Sequence, residues 1–355
     1  LEEVIVTAQK RAQDLQDTPI AITAFDSAAI DAQRITNVRD ISLLAPNTQV
    51  APSPGGSTGA TIAIRGSATI NPAITWEPVV GLYLDGVFLG KNLGGIFDIA
   101  ELERVEVLRG PQGSLYGKNT VGGAINLITR KPGEEFGGSA EVSAGDEGYQ
   151  RVRLSLDTGA LGTVGEGLGQ FRGNLAYMNA ERDGFYDNVD LDPTAGNNTF
   201  VNPRSSKEFA NLDSEVWRFD GILDVTDTFS ARYTYDYSNK EQQTNMGQLT
   251  DVNQSMFDAQ GVGFLGELMS LYDTNENDRA DKISNDWSGE EESEVQGHGL
   301  FLDWDAGNWG AMGDVTLKSI TSYRDMEWSD LLDIDGTNMD LFHSGRDVDY
   351  EQTSQ

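Results

Sequence analysis

Residues Glu101–Pro132 read ELERVEVLRGPQGSLYGKNTVGGAINLITRKP, which places a strand, a glycine-rich turn and a second strand in direct succession. Val105 and Val107 alternate with the side chains of the opposite face, as in a half-buried strand. In the RGPQG turn, Pro111 fixes its own φ and lies between glycines that permit unusual backbone angles. The apolar run over 124–129 predicts a buried second strand. Few folds need this order of elements, so the stretch is the strongest local clue to the fold.

A phosphate-binding P-loop is the alternative that a strand, a glycine turn and a Gly-Lys pair suggest. That motif requires a glycine five residues before Gly117, and Ser or Thr directly after the lysine. Gln112 and Asn119 occupy these positions. The segment after Lys118 also indicates turn and strand, not the helix whose N-terminus would hold a phosphate. We therefore predict that Lys118 is a surface lysine.

Composition excludes several classes of function. The 355 residues include no cysteine and two histidines, so disulfides, thiol chemistry and a histidine-rich metal centre are not expected. No apolar run approaches the roughly 18 residues of a membrane helix. No signal peptide precedes Leu1, which predicts a mature or trimmed product.

Charge is distributed unevenly along the chain. The formal net charge is −32; the first 135 residues hold 11 basic and 15 acidic side chains, and the remainder holds 14 and 42. A nucleic-acid partner is not expected, because its phosphates would be repelled. The acidity indicates solvated loops. The alternative is an acidic mouth that concentrates cations or metal-bearing ligands.

Residues 1–133 mix helical and strand signals, which predicts a small α+β domain with a mixed sheet and short helices. Ser27 is predicted to cap a helix over 28–33, and a second helix is expected to end before Pro46. Asp85 and Gly86 predict a hairpin turn between two short strands.

Residues 134–355 carry almost no helical periodicity and predict long antiparallel strands. Segments near ten residues, such as 217–225 and 229–237, alternate between apolar and polar side chains. This pattern is typical of barrel strands with one face in lipid and the other in a wet lumen. A soluble sandwich alternates in the same way, but charged residues at every second position favour the barrel.

The connections between these strands differ in length. Short turns near 146–148, 226–228 and 307–308 are predicted at one rim, and long polar loops at the other. Several aromatic residues towards strand ends predict an interfacial girdle; they are Tyr237, Trp304, Trp309, Tyr323 and Trp328.

Motifs along the chain resemble those of the TonB-dependent outer-membrane receptors, in the order in which that family carries them. The first is similar to the Ton box, and the others to plug landmarks; they are Glu3-Val4-Ile5-Val6-Thr7-Ala8, DISLLAPN over 40–47, IRG over 64–66, YLDGV over 83–87 and RVEVLRGPQGSLYG over 104–117. The strand pattern extends the resemblance over nearly all the rest.

The resemblance implies a division of the chain into three parts. Residues 1–12 would be the Ton box and periplasmic N-terminal segment, residues 13–133 the plug domain, and residues 134–355 the N-terminal part of a transmembrane β-barrel. Long extracellular loops would lie near 183–212, 239–294 and 329–345. The family closes a 22-stranded barrel, whereas we predict about seven strands and an eighth that begins near residue 346. The chain is therefore expected to be the N-terminal part of a longer receptor.

The resemblance also implies functional residues. A strand of TonB would pair with the Ton box by strand addition, which assigns TonB binding to Glu3, Val4, Ile5, Val6, Thr7 and Ala8. The loops over 67–78 and 90–95 would be plug apices, with candidate ligand contacts at Ile74, Trp76, Glu77, Lys91, Asn92 and Leu93. Candidates for ionic contacts between plug and barrel are Arg65, Arg104, Arg109 and Arg130. Pairing within the plug is the alternative for each arginine.

The implied function is import of a nutrient by energised plug movement, in the outer membrane of a Gram-negative cell and with a periplasmic N-terminus. The implied partners are TonB with its inner-membrane complex, outer-membrane lipid and lipopolysaccharide, and a small nutrient ligand; no cofactor is implied. The ligand could be a ferric siderophore, a carbohydrate or cobalamin, and the sequence does not choose among them. A surface-exposed binding or adhesion receptor without transport is the alternative.

Catalysis and metal binding are not expected from the sequence. His343 and Ser344 are neighbours in the chain, and such adjacency rarely forms a working dyad. Acidic segments at 187–192 and 333–336 could ligate calcium, but neither has the spacing of an EF-hand loop.

Overall fold

The structure is a computed structural model, and it describes residues 5–7, 13–33, 35, 38–53, 56–69, 76–92, 101–185, 187–192, 199–203, 209–244, 247, 252–263, 282–283, 285, 289–337, 340 and 342–355. In that part of the chain, no helix has both the length and the apolar character needed to cross a membrane.

Small sheets make up the first region, which we call the plug. Its strands are β1 (Ile5–Val6), β2 (Gln13–Asp14), β3 (Ile22–Asp26), β4 (Thr48–Ser53), β5 (Gly56–Ile64), β6 (Ser67–Ala68), β7 (Val80–Leu84), β8 (Val87–Leu89), β9 (Leu102–Arg109) and β10 (Gly123–Thr129). The central sheet has the order β3-β9-β10-β7-β8, in which β10 runs antiparallel to β9 and parallel to β7. Strand β1 pairs with β2, and β5 lies between β4 and β6.

The two strands of the opening stretch are confirmed as β9 and β10, neighbours in the central sheet. Val105 and Val107 are fully buried in the main apolar cluster of the plug, whereas Leu108 lies in a second cluster on the opposite face. Gly123 has a φ of 154°, and a Cβ there would lie 2.3 Å from the carbonyl oxygen of Leu108, so the close strand pairing needs glycine. No helix follows Lys118, as predicted.

Short helices occur in both regions, and the capping residue of one of them differs from the prediction. The α-helices are α1 (Ser27–Ala32), α2 (Gly113–Tyr116) and α3 (Gln254–Ala259), and 3₁₀ turns lie at Leu15–Asp17, Val38–Leu43 and Gly310–Met312. The amide of Ala29 donates to Oδ1 of Asp26 at 2.8 Å, so Asp26, and not Ser27, caps α1. The second predicted helix is the 3₁₀ segment over 38–43, which ends before Pro46.

Strands make up most of the second region, and those of its main sheet pair antiparallel. They are β11 (Phe136–Ala144), β12 (Gln150–Thr158), β13 (Leu161–Gly162), β14 (Gln170–Arg182), β15 (Asp187–Asp192), β16 (Thr199–Pro203), β17 (Leu212–Thr226), β18 (Phe229–Gln243), β19 (Lys282–Ile283), β20 (Glu290–Asn308), β21 (Asp314–Asp333) and β22 (His343–Ser354). Within the described residues, eight of them form one path, β11-β12-β14-β17-β18-β20-β21-β22, which we call the wall sheet. Its eighth strand begins at His343, three residues before the predicted start.

The rim assignment of one turn is wrong. The turn over 146–148 was predicted beside the other short turns, but the amide of Asp183 donates to the carbonyl oxygen of Glu147 at 2.9 Å. Asp183 begins the long loop after β14, so this turn lies at the long-loop rim. The short-turn rim includes Thr228, whose carbonyl accepts from Asp305. Successive antiparallel strands run in opposite directions, so their connections alternate between the two rims. The position of a turn in this order, and not its length, decides the rim at which it lies.

Alternate residues of the wall sheet face the plug, and this alternation corrects one girdle residue. Trp217, Trp304 and Tyr323 are 38%, 45% and 40% exposed and lie on the outer face. Trp328 was predicted with them, but it is 4% exposed and lies on the inner face of β21. Trp328 does lie near a strand end, as predicted. An odd number of positions separates it from Tyr323 along β21, so the two side chains point to opposite faces of the sheet.

Candidate functional site: the plug and its contacts with the wall sheet

The tip of the β7–β8 hairpin inserts a carboxylate between two strands of the wall. Asp85 and Gly86 form the turn with φ of 51° and 87°, the positive angles that a two-residue hairpin of this type needs. Oδ2 of Asp85 accepts from Arg218 on β17 at 2.9 Å and from Arg232 on β18 at 3.0 Å. Thr129 adds its amide at 2.9 Å and its hydroxyl at 2.7 Å. The Asp85 side chain is 4% exposed, so this is a buried ion pair between plug and wall.

A second carboxylate balances the charge. Nε of Arg232 donates to Oδ1 of Asp220 at 2.9 Å, and the Asp220 side chain is 1% exposed. Burial acts to raise the pKa of Asp85, but the guanidiniums of Arg232 and Arg218 outweigh it and hold that pKa below its ordinary value. We call Asp85, Thr129, Arg218, Asp220 and Arg232 the central ion cluster.

Charged pairs continue from this cluster along the inner face of the wall. Nη1 of Arg218 lies 3.9 Å from Oδ1 of Asp236, which in turn pairs with Arg324 at 2.7 Å. A Cβ at Gly297 would lie 2.6 Å from Asp236 and 2.7 Å from Arg324. Glycine at this position of β20 therefore leaves room for the Asp236–Arg324 pair.

A second buried contact joins β5 of the plug to three wall strands. Glu291, on β20, is fully buried and accepts from the amide and hydroxyl of Thr58 and from Nε2 of Gln242. Nε1 of Trp328 donates to the Thr58 hydroxyl at 2.8 Å and to Glu291 at 3.2 Å. We call Thr58, Gln242, Glu291 and Trp328 the Glu291 cluster. The buried Glu291 carboxylate therefore has hydrogen-bond donors from both the plug and the wall sheet.

Strand β22 holds the end of β8 through a side-chain amide. Oε1 of Gln352 accepts from the amide of Gly90 at 2.9 Å, and its Nε2 donates to the carbonyl oxygen of Phe88 at 2.6 Å. Nζ of Lys91 lies 5.7 Å from the ring centre of Tyr350, the geometry of a cation–π contact.

Arg130 lies where the plug meets the first wall strands. Its Nε donates to Glu101 of the plug at 2.6 Å. Its Nη2 donates to Ser155 and Asp157 of β12, each at 3.0 Å. Of the four arginines predicted for plug–barrel contacts, this one pairs with both regions.

The other three predicted arginines lie within the plug. Arg104 donates to Glu106 at 2.9 Å and also pairs with Glu103. The guanidinium of Arg65 lies against Gly110, where a Cβ would be 3.1 Å from Nη1. The amide of Arg109 donates to Ala21 at 2.9 Å. Among the described residues, neither Arg65 nor Arg109 forms an ion pair.

The described part of the predicted Ton-box segment is held against the plug by the pairing of β1 with β2, by hydrogen bonds at Thr7 and by one buried apolar side chain. The amide of Thr7 donates to Oε1 of fully buried Glu106 at 2.7 Å, and the Thr7 hydroxyl accepts from Arg104 at 3.2 Å. Val6 is fully buried, whereas Ile5 is 42% exposed. Glu3, Val4 and Ala8 lie outside the described residues.

Val6 enters an apolar cluster that contains two buried phenols. Tyr83, Leu108 and Tyr116 surround it. Burial raises the pKa of Tyr83 to about 12, so its hydroxyl stays protonated and donates to the carbonyl oxygen of Tyr116 at 2.6 Å. The segment is thus held by packing on one face and remains exposed on the other.

The described candidates for ligand contact are divided between surface and interior. Trp76 is 58% exposed, and Nζ of Lys91 lies 3.5 Å from its carbonyl oxygen. Glu77 pairs with Lys118 at 3.3 Å. Hydrogen bonds from Asn119 and Lys118 hold the pKa of Glu77 below its ordinary value. Asn92 is buried, and its carbonyl oxygen accepts from Ala60 at 2.9 Å. The other two candidates, Ile74 and Leu93, lie outside the described residues.

Polar contacts, and not a shared apolar core, join the two regions. Each apolar cluster of the described residues lies wholly within the plug or wholly within the wall sheet. Among the described residues, polar contacts cross between the regions at the central ion cluster, the Glu291 cluster, Gln352 and Arg130, and Lys91 adds a cation–π contact with Tyr350. Such groups can exchange protein partners for water, whereas separating an apolar core costs about 25 cal/mol per Å². This interface is therefore suited to separation.

The sequence does not reveal most residues of this interface. Arg218, Arg232 and Glu291 appear in it only as polar members of alternating strands. The local signal for Asp85 is its turn, and the signal for its partners is two inward-facing arginines on neighbouring strands. His343 and Ser344 are successive residues of β22 and face opposite sides of the sheet, so they do not form a dyad.

Residues 14–124 match the family model of the TonB-dependent Receptor Plug Domain. The vitamin B12 transporter BtuB of Vibrio vulnificus (strain CMCP6) is 28% identical over 158 residues, which are 43% of this chain and 25% of that protein. The iron-regulated outer membrane virulence protein of Vibrio cholerae serotype O1 is 30% identical over 148 residues, which are 40% of this chain and 22% of that protein.

Two solved structures share the fold. The ferric-catecholate import receptor Fiu from E. coli K12 has a TM-score of 0.66 at 15% identity, covering 99% of this chain and 48% of that one. The ferric yersiniabactin uptake receptor FyuA from Yersinia pestis has a TM-score of 0.65 at 17% identity, covering 88% and 42%. The chain thus spans less than half the length of these structures, and its matches span a quarter or less of the two relatives above.

Proposed function

We propose, from the premise that this chain belongs to the TonB-dependent outer-membrane receptors, that it imports a nutrient into the periplasm by movement of the plug away from the wall sheet. The observation that carries this proposal is the polar interface between the two regions. A plug that shared an apolar core with the wall would resist removal, whereas paired charges and hydrogen bonds can re-form with water. We keep the division at residues 13–133 and 134–355 as the domain boundaries of this proposal.

The segment over residues 3–8 is the proposed docking site for TonB. Ile5 is exposed while Val6 is buried, so the segment rests on the plug by one face. An extended segment with an exposed face can add to the edge of a partner sheet through its backbone. Pulling on it would act directly on Glu106 and Arg104, which lie on β9, an interior strand of the central plug sheet. Force applied there would therefore reach the whole sheet.

The nutrient is proposed by class only. The two relatives named above carry names that refer to vitamin B12 and to iron, and the two solved structures have titles that refer to ferric catecholates and ferric yersiniabactin. A metal-bearing chelate of this kind is the cargo we propose. Trp76, Glu77, Lys91 and Asn92 are the described plug residues proposed to contact it, together with Ile74 and Leu93. The proposed location is the outer membrane, in contact with its lipid and lipopolysaccharide.

Substitution of Ile5 by proline tests the transport proposal. Proline removes the backbone N–H and blocks strand addition, whereas Ile5→Ala keeps the N–H and serves as the matched control. The assay uses cells whose growth depends on one compound from a panel of ferric siderophores and cyanocobalamin. We expect Ile5→Pro to abolish uptake of the radiolabelled compound, while its binding to the cell surface is retained. Unchanged uptake in Ile5→Pro would favour the alternative, a surface receptor that binds without transport.

A further inference from the structure

We propose that Asp333, Asp335 and His343 form a binding site for a divalent transition-metal ion at the head of the β21–β22 hairpin. Each residue offers one ligand atom, and the three atoms all lie within 4.8 Å of one another. This site is independent of the proposed transport function, because it lies on the wall hairpin and includes none of the plug contacts described above.

Strand pairing brings two of the three ligands together. Asp333, the last residue of β21, is the register partner of His343, the first residue of β22. The amide of Ile334 donates to the carbonyl oxygen of Phe342 at 3.0 Å and closes the hairpin immediately beyond them. Two side chains at opposed strand positions have their Cβ atoms about 5 Å apart. The backbone therefore holds this carboxylate and this imidazole at a spacing that one ion can bridge.

The third ligand is held in place by the loop. Oδ2 of Asp335 accepts from the amide of Phe342 at 2.9 Å, and its Oδ1 accepts from the amide of Thr337 at 3.0 Å. Thr337 is fully buried, Asp333 is 4% exposed and the side chain of His343 is 9% exposed, whereas Asp335 is half-buried. The site thus has a fixed floor and a side open to solvent, through which an ion can enter.

A fourth residue is placed to orient the imidazole. Oδ1 of Asp340 lies 3.3 Å from Nδ1 of His343. Histidines that bind metal commonly donate their other ring N–H to a carboxylate, which fixes the ring and raises its basicity. Asp340 is therefore a positioning residue in this proposal and not a ligand.

The donor set selects the class of ion. An imidazole with two carboxylates suits Zn²⁺, Mn²⁺, Fe²⁺ or Co²⁺, whereas Ca²⁺ and Mg²⁺ prefer oxygen ligands alone. Three protein ligands also leave coordination positions for water. The EF-hand spacing concerns only the carboxylates over 333–336, whereas His343 joins the group through the hairpin register.

Zinc titration of the receptor purified from outer membranes in detergent, after treatment with a chelator, tests this proposal. By calorimetry we expect His343→Gln and Asp335→Asn each to weaken the tightest Zn²⁺ binding at least ten-fold. The chain has one other histidine, His298 on β20, so His298→Gln is the matched control and should bind as the wild type does. Excess Ca²⁺ should not compete.

Two results would overturn the proposal. One is equal zinc affinity in His343→Gln and the wild type; the other is displacement of zinc by an equal concentration of Ca²⁺, which would assign binding to scattered surface carboxylates. X-ray absorption at the zinc edge on the wild-type receptor needs no variant to fold. We expect one imidazole in the zinc shell, and a shell of oxygen alone would reject the site.

Discussion

At Asp85 one carboxylate neutralises guanidiniums from two strands of the wall. Removing one partner of a buried ion pair leaves charge uncompensated and costs about 3–5 kcal/mol. We therefore expect Asp85→Asn to lower the free energy of plug unfolding by that amount, as measured by native-state hydrogen exchange of plug amides. Glu77→Gln is the control within the same region, because the exposed Glu77–Lys118 pair contributes at most about 1 kcal/mol. Similar losses in both variants would contradict the central role given to Asp85.

The lowered pKa of Asp85 predicts how its contribution depends on pH. A carboxyl whose folded pKa lies below the unfolded value of about 3.9 stabilises fully above that value and loses its contribution as pH falls through the folded pKa. The stability difference between the wild type and Asp85→Asn should thus be constant from pH 7 to about pH 5 and then shrink below about pH 4. Parallel unfolding measurements over this range check it. A difference that persists undiminished at the lowest pH would show that charge is not its source.

Residues differ in how far their partners lie along the chain, and this decides what the sequence can predict. Val105 and Val107 alternate within one strand, so their burial follows from local pattern. Asp85 is recognisable as a turn residue, but its partners Arg218 and Arg232 lie 133 and 147 positions away, and no local pattern links them. Arg130 falls between these cases, since its wall partner Asp157 is 27 positions away.

Among elements, β1 is the one whose attachment can be tested by a pair of neighbouring substitutions. Val6→Ser removes a fully buried side chain worth about 1.5–3 kcal/mol, and Ile5→Ser removes a half-exposed one. We expect Val6→Ser to raise hydrogen exchange at the Thr7 amide roughly 10- to 100-fold, because local opening becomes that much easier. Ile5→Ser should have a much smaller effect. The reverse order would mean that the segment docks by its other face.

The presence of an element and its position in the sheet differ in how well the sequence predicts them. The strands β9 and β10 and the hairpin β7–β8 follow from alternation and turn residues. Trp328 and the turn over 146–148 do not, because their side and rim depend on counting through the whole sheet, where a shift of one residue or one strand reverses the answer. The cap of α1 is a finer case, in which two adjacent residues, Asp26 and Ser27, can both accept the same donor.

For the whole molecule, the proposal requires the plug to part from the wall, and the absence of native cysteine makes this testable. Lys91 lies on the plug within 5.7 Å of the Tyr350 ring on β22. In Lys91→Cys/Tyr350→Cys, a reducible thiol cross-linker should stop uptake, and reduction should restore it. A cross-link in Glu77→Cys/Lys118→Cys, which lies wholly within the plug, should leave uptake intact. Continued uptake through the fully cross-linked first variant would exclude separation at this contact.

The balance of charge in the central ion cluster has a consequence for the passage that plug movement would open. While the plug is seated, two arginines face two aspartates. Once Asp85 departs with its hairpin, the wall keeps Arg218, Arg232 and Arg324 against Asp220 and Asp236, so one positive charge along the route is left uncompensated. An anionic chelate passing this point would meet the two arginine side chains that Asp85 has left. The return of the plug would then displace the chelate from them. Asp85 would thus hold the plug in place while it is seated. On its return it would compete with the chelate for the two arginines and displace it from them.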